Sequence, residues 1–89
     1  MEKKEIIEKL EKHGFELNFD WGMTFGFKNG KTSIVYSKQS CADILSISFN
    51  RQANEKKARA VIRQIFHTAK YIHQGTVLSA SYFSIEPLN

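Results

Sequence analysis

Phe15-Glu16-Leu17-Asn18-Phe19-Asp20-Trp21-Gly22-Met23-Thr24-Phe25-Gly26-Phe27-Lys28-Asn29-Gly30-Lys31-Thr32-Ser33-Ile34-Val35-Tyr36 keeps an apolar period of two almost from end to end. Phe15, Leu17 and Phe19 alternate with Glu16, Asn18 and Asp20, and Met23, Phe25 and Phe27 with Thr24, Gly26 and Lys28. This is the pattern of strands with one buried face. Asn29-Gly30 between two lysines predicts a two-residue type I′ hairpin turn. That turn sets Phe27 opposite Thr32, Phe25 opposite Ile34 and Met23 opposite Tyr36. A three-residue turn at Asp20-Trp21-Gly22 sets Phe19 opposite Met23, Leu17 opposite Phe25 and Phe15 opposite Phe27. Both turns place the same residues on one face.

Outward from this stretch, Asp43 to Asn50 adds a fourth strand with Leu45, Ile47 and Phe49. Upstream, residues 2–13 predict a helix. Ile6, Ile7 and Leu10 form its stripe, Glu5–Lys9 and Glu8–Lys12 are favourable i,i+4 pairs, and Gly14 stands at the C-terminal cap. Downstream, Asn54 is a good N-cap with Glu55 in the first turn. Ala58, Val61, Ile62, Ile65, Phe66, Ala69 and Ile72 then recur at helical spacing, which predicts a helix to about His73 ended by Gly75. Val77, Phe83 and Ile85 alternate with Tyr82 and Ser84, which predicts an edge strand within Thr76–Ile85. The expected class is α+β. It consists of one antiparallel sheet of four or five strands, with an N-terminal helix and a longer C-terminal helix packed on one face.

Composition bounds the rest. Eighty-nine residues make one domain, 1–89, and 42% hydrophobic content with seven Phe, three Tyr and one Trp is enough for a core. Cys41 is the single cysteine, so no intrachain disulfide forms. The charged N-terminus has no hydrophobic signal region, and no apolar run approaches the ~18–20 residues of a membrane span. A cytoplasmic location without membrane contact is expected.

Catalysis finds little support. Gln39-Ser40-Cys41-Ala42 is no thiol-activation motif, and Cys41 next to a strand reads as a small packing residue. His13, His67, His73 and Cys41 show no metal-ligand spacing, and no phosphate-cradling glycine loop is present. The carboxylates Glu16, Asp20 and Asp43 read as the solvated side of strands or turns. No enzyme activity, cofactor or metal is expected.

Charge is more informative. Residues 1–12 hold four Lys against four Glu, and residues 13–49 hold three Lys against Glu16, Asp20 and Asp43. From Asn50 onward six Lys or Arg face only Glu55 and Glu86, so the net +4 sits there. On the second helix, Lys56, Arg59, Arg63, His67 and Lys70 fall within roughly an 80° wedge away from the apolar stripe. Such a line, with Lys57 beside it, can follow phosphates, and arginines can contact them in bidentate fashion. Its plain alternative is a solvated helix face that keeps the protein soluble. Trp21, in the first hairpin turn, can stack on a base or anchor a protein contact, or fold back over the core.

Two stretches carry a resemblance. Residues 5–17, Glu-Ile-Ile-Glu-Lys-Leu-Glu-Lys-His-Gly-Phe-Glu-Leu, look like the opening of HicA-type toxins, small ribonucleases with the double-stranded-RNA-binding-domain fold. Asn54-Glu55-Lys56-Lys57-Ala58-Arg59 is similar to the lysine-rich start of the last helix in RNA-binding members of that fold. The resemblance covers about residues 2–73. It implies helix, antiparallel strands and helix, with phosphate contacts from the last helix. The toxins' catalytic His, in a Gly-Ser-His segment after their first strand, is absent: Gly22-Met23-Thr24 stands there. The expected function is therefore non-enzymatic binding of nucleic acid, RNA or DNA, through Lys56, Lys57, Arg59, Arg63, His67, Lys70 and Trp21. The alternative is a protein-interaction module, such as a small inhibitor or regulator from a phage or mobile element, docking on an acidic partner surface, and a degenerate ribonuclease is a distant third reading.

Overall fold

The computed structural model describes residues 2–39, 42–67, 69–77 and 79–87, with the backbone alone at Ala69, Lys70, Ile72 and Pro87. Cys41 lies outside the described residues. Its elements run α1 (Lys3–Lys12), β1 (Glu16–Asp20), β2 (Thr24–Asn29), β3 (Thr32–Ser37), β4 (Asp43–Phe49), α2 (Glu55–Ile65), β5 (Ala69–Thr76) and β6 (Ser81–Pro87). The strands form one antiparallel sheet in the order β1-β2-β3-β4-β6-β5.

The α+β class and the single antiparallel sheet hold, but the arrangement expected from sequence does not. The sheet has six strands rather than four or five. The second helix is neither long nor C-terminal: it stops at Ile65, and two strands follow it. Ala69–Thr76, read above largely as helix, is the edge strand β5. β6, read as an edge, is interior between β4 and β5. Residues 66–76 satisfy both periods, and a long-range partner decides between them. Tyr71 and His73, two apart, face Ile85 and Phe83 across the β5–β6 ladder. Gly75, expected to end a helix, lies instead at the irregularity in that ladder.

α1 ends as its sequence predicts. The Phe15 N–H bonds to the Leu10 carbonyl and the Gly14 N–H to that of Glu11, with Gly14 at φ +88°. This pair of bonds is a Schellman cap, and it points Phe15 into the core below Leu10. α2 begins with the Asn54 side chain accepting the Lys57 N–H at 3.0 Å.

The hairpin between β2 and β3 turns one residue later than predicted. Asn29 pairs with Thr32, and Gly30 (φ +59°) and Lys31 form the turn. Only the first of these has positive φ, so the type I′ turn is not formed. The register moves by two residues, with Phe27 opposite Ile34 and Phe25 opposite Tyr36. An even shift leaves every side chain on its face, so Phe25, Phe27, Ile34 and Tyr36 stay buried, whereas Met23, expected beside them, lies before β2 and is exposed. Phe25, Phe27, Ile34, Tyr36, Leu45, Ile47, Phe83 and Ile85 form one buried cluster with Ile6 and Leu10 of α1 and Ala58, Ile62 and Ile65 of α2.

β1 shifts by an odd number instead. Leu17 faces Phe27, but beyond an irregularity Phe19 faces Gly26. Phe19 is thereby turned to the sheet face that no helix covers. A Cβ on Gly26 would stand 2.1 Å from Phe19 Cε1, so glycine there leaves the room in which the ring lies. Asp43 also departs from expectation. It is buried and accepts the Tyr36 hydroxyl at 2.5 Å, with Lys38 Nζ at 3.8 Å. Burial, then the bond to Asp43, pushes the Tyr36 hydroxyl far above the usual phenol range.

Two substitutions probe these features by denaturant unfolding. Tyr36→Phe removes the buried donor to Asp43 and is expected to cost about 1–3 kcal/mol. Gly26→Ala is expected to cost about 1–3 kcal/mol through overpacking, and distinctly less in a Phe19→Ala background. An equal cost in both backgrounds would show that Phe19 does not require the glycine.

Candidate functional site

The basic line expected along a single helix is broken up by the strands that replace the helix's second half. Lys56 and Lys57 are exposed on the first turn of α2, and Lys57 Nζ stands 5.9 Å from the Phe49 ring. Arg59 is half-buried. Its Nε donates to Glu55 Oε2 at 2.8 Å, and its guanidinium lies 5.9 Å and 5.8 Å from the Tyr71 and Phe83 rings. The bond to Glu55 raises the Arg59 pKa further and, reciprocally, lowers that of Glu55. Arg63 Nη1 donates to the Tyr71 hydroxyl at 3.3 Å. His67 is exposed just beyond the helix, and Lys70 lies on β5 with Glu86 as its register partner. On α2, Lys56, Lys57 and Arg63 are exposed without an ion pair among the described residues, and of these Arg63 is held to the Tyr71 hydroxyl.

His73 joins the structural group rather than a metal site. Its Nδ1 is 3.3 Å from Glu55 Oε1 and its Nε2 2.8 Å from Thr76 Oγ1. Among the described residues no group of three or more His, Cys, Asp or Glu could hold a metal ion.

A different set of cations converges instead. Lys28 ends β2, Lys31 sits in the β2–β3 turn, and Arg51 lies in the β4–α2 corner. The Asn50 N–H donates to the Lys31 carbonyl at 2.7 Å and fastens the corner to the turn. Asn50 and Arg51 take φ values of +52° and +62°, a left-handed pair that reverses the chain into α2. For Arg51 this costs roughly 1–2 kcal/mol, held in place by the Phe49–Gln52 bridge and the Asn50 bond. Two neighbouring concavities result. One of about 350 Å³ lies between Lys31, Asn50, Asn54 and Lys57, the other of about 310 Å³ between Lys28, Lys31, Ser33 and Arg51. None of Lys28, Lys31, Arg51 and Lys57 forms an ion pair among the described residues. Sequence reasoning missed Lys28, Lys31 and Arg51. Two lysines flanking a hairpin turn were a visible signal, but their approach to Arg51 depends on pairing between β3 and β4.

Trp21 is at the other end of β2, roughly 17 Å away at strand rise. It is 77% exposed, and its ring centroid stands 4.6 Å from that of Phe19. The tip holding it is rigidly tied. Asp20 Oδ1 accepts the Gly22 N–H at 2.9 Å and meets Lys3 Nζ at 2.6 Å, while the Trp21 N–H donates to the Thr24 carbonyl. Trp21 therefore does not fold back over the core, nor does it share a site with the helix cations.

Compared with models of known families, with curated proteins and with solved structures, the chain matches none. No helix among the described residues is long and apolar enough to cross a membrane.

The Lys3 hydrogen bond, then that of the Gly22 N–H, holds the Asp20 carboxyl below its ordinary value of 3.8. A lowered folded-state value contributes stability that is present above pH 3.8 and is lost as pH falls below it through the lowered value. An acid titration of Trp21 fluorescence should show a step below pH 3.8 that Asp20→Asn abolishes. The same step in both proteins would mean that the clasp does not position the tryptophan.

Proposed function

We propose that this protein is a non-enzymatic domain that binds nucleic acid by neutralising phosphates at its basic end. The observation that carries this reading is the convergence of Lys28, Lys31, Arg51 and Lys57 around two adjoining concavities, none of them in an ion pair among the described residues although Glu16 is the register partner of Lys28. Lys56 adds a further cation on the same turn of α2. Unpaired cations brought together by a strained corner repel one another, and a polyanion relieves that repulsion. Arg59 and Arg63 serve mainly to join α2 to β5 at Tyr71, Arg59 by lying over its ring while bonded to Glu55 within the helix and Arg63 by donating to its hydroxyl. The lysine-rich helix start, Asn54 to Arg59, remains part of the contact surface through Lys56 and Lys57. Phosphate contacts carry no sequence information, so affinity through these cations should depend on charge more than on sequence.

Four phosphate contacts would release counterions and give a log–log salt slope of about −3 to −4, so affinity should fall about 100-fold between 50 and 200 mM salt. Lys31→Glu/Arg51→Glu should flatten that slope by about 2, whereas Arg63→Gln should leave it nearly unchanged. Anisotropy with labelled RNA and DNA measures both. Binding insensitive to salt, or unaltered by the charge reversal, would refute the reading. Stoichiometric capture of an acidic protein in place of nucleic acid would do so too.

A further inference from the structure

The helices cover one side of the sheet, and the other side has a cross-strand row of unusual composition. Phe19 faces Gly26, Gly26 faces Val35, Val35 faces Ser46 and Ser46 faces Tyr82. The row is aromatic at both ends and small in the middle. Across four strand spacings its ends stand roughly 19 Å apart. On the Phe19 end the exposed Trp21 ring adds a second aromatic surface. The adjacent rows, Thr24–Ser37–Ile44–Ser84 and Lys28–Ser33–Ser48, are lined with hydroxyls. Among the described strand residues, carboxylates on this face stand at diagonally opposite ends, Glu16 beside Lys28 and Glu86 near the end of β6.

We infer that this open face takes the unstacked bases of a single-stranded nucleic acid, with Trp21 over Phe19 as the stacking platform. The inference rests on the phosphate contacts proposed for the basic end. Lys28 belongs to both surfaces: it lines one of the concavities and stands on the open face. A strand whose phosphates engage Lys28, Lys31 and Arg51 can therefore continue onto the face towards Trp21. Bases inside a duplex present no free ring to a tryptophan, whereas a single strand presents one at each nucleotide. The serine hydroxyls donate and accept along the path without demanding a particular base. The same serines argue against a protein occupant, because the cores of protein interfaces are poor in serine.

The test uses the full chain, with labelled oligouridylate and oligothymidylate of about ten nucleotides and a duplex of equal length. Anisotropy and emission from the single tryptophan are read together. Single strands are expected to bind tighter than duplex and to quench Trp21. Trp21→Ala should weaken single-strand binding about 5- to 150-fold without changing the salt slope, which reports phosphates. Ser46→Glu, in the middle of the face, should weaken it as well, with circular dichroism confirming that both variants fold. Equal binding of both forms, with Trp21 emission and the Trp21→Ala affinity unchanged, would overturn the stacking face and leave the phosphate reading standing. No anisotropy change with any probe would overturn both. Self-association in light scattering that Trp21→Ala abolishes would give the face to a second copy and overturn the inference.

Discussion

The pairing of β4 with β6 governs the rest of the architecture. It joins residues far apart in the chain, Leu45 to Phe83 and Asp43 to Ile85, and places Phe83 and Ile85 in the core cluster. Because β6 takes that position, β5 can pair outside it, and the chain after Ile65 is drawn into the sheet instead of continuing as helix. The contacts of Arg59 and Arg63 with Tyr71 on β5 follow from the same pairing. So does the width of the uncovered face, which reaches Tyr82 only because β6 is there.

The parts legible in sequence are those settled by neighbours in the chain. α1, its glycine cap, the N-cap at Asn54 and the apolar parity of β2, β3 and β4 are all local, and each was readable from residue type and period. Even the misplaced hairpin turn did little harm, since a two-residue error preserves the face. The β1 irregularity was harder to read. It shifts Phe19 by an odd number, and a single extra residue leaves no mark on an alternation of Phe, Leu and Phe. Residues 66–76 were ambiguous in themselves: Phe66, Ala69 and Ile72 suit a helix, and Tyr71 and His73 suit a strand. Only a partner some ten residues further on breaks the tie, and propensity is a weak prior against it.

The site was legible to a similar degree. The charge after Asn50 is one-sided in the count, but a helical wheel drawn to His73 puts His67 and Lys70 on a helix that ends at Ile65. Arg59 and Arg63 have short-range partners, Glu55 and Tyr71, that lower their availability. Lys28 and Lys31 looked balanced by Glu16 and Asp20 in a count along the chain. In space Asp20 is engaged by Lys3 at the far end of β2, while Glu16 lies across from Lys28 without an ion pair to it among the described residues and Lys31 is left without either carboxylate. Electrostatics depends on distance in three dimensions, and charge tallies by segment miss the reassortment.

The strand order also dictates a history for the molecule. Strands β1 to β4 are successive hairpin partners and close short loops, so they can zip together as the chain leaves the ribosome. The outer edge of β4 then has no neighbour until β6 has been made, and Leu45 must wait for Phe83 across nearly half the polypeptide. During that interval an unpaired edge carrying Leu45 and Ile47 is open to other chains. A truncation before Ser81 would leave that edge without its β6 partner for good, so β6 is what closes the edge of β4.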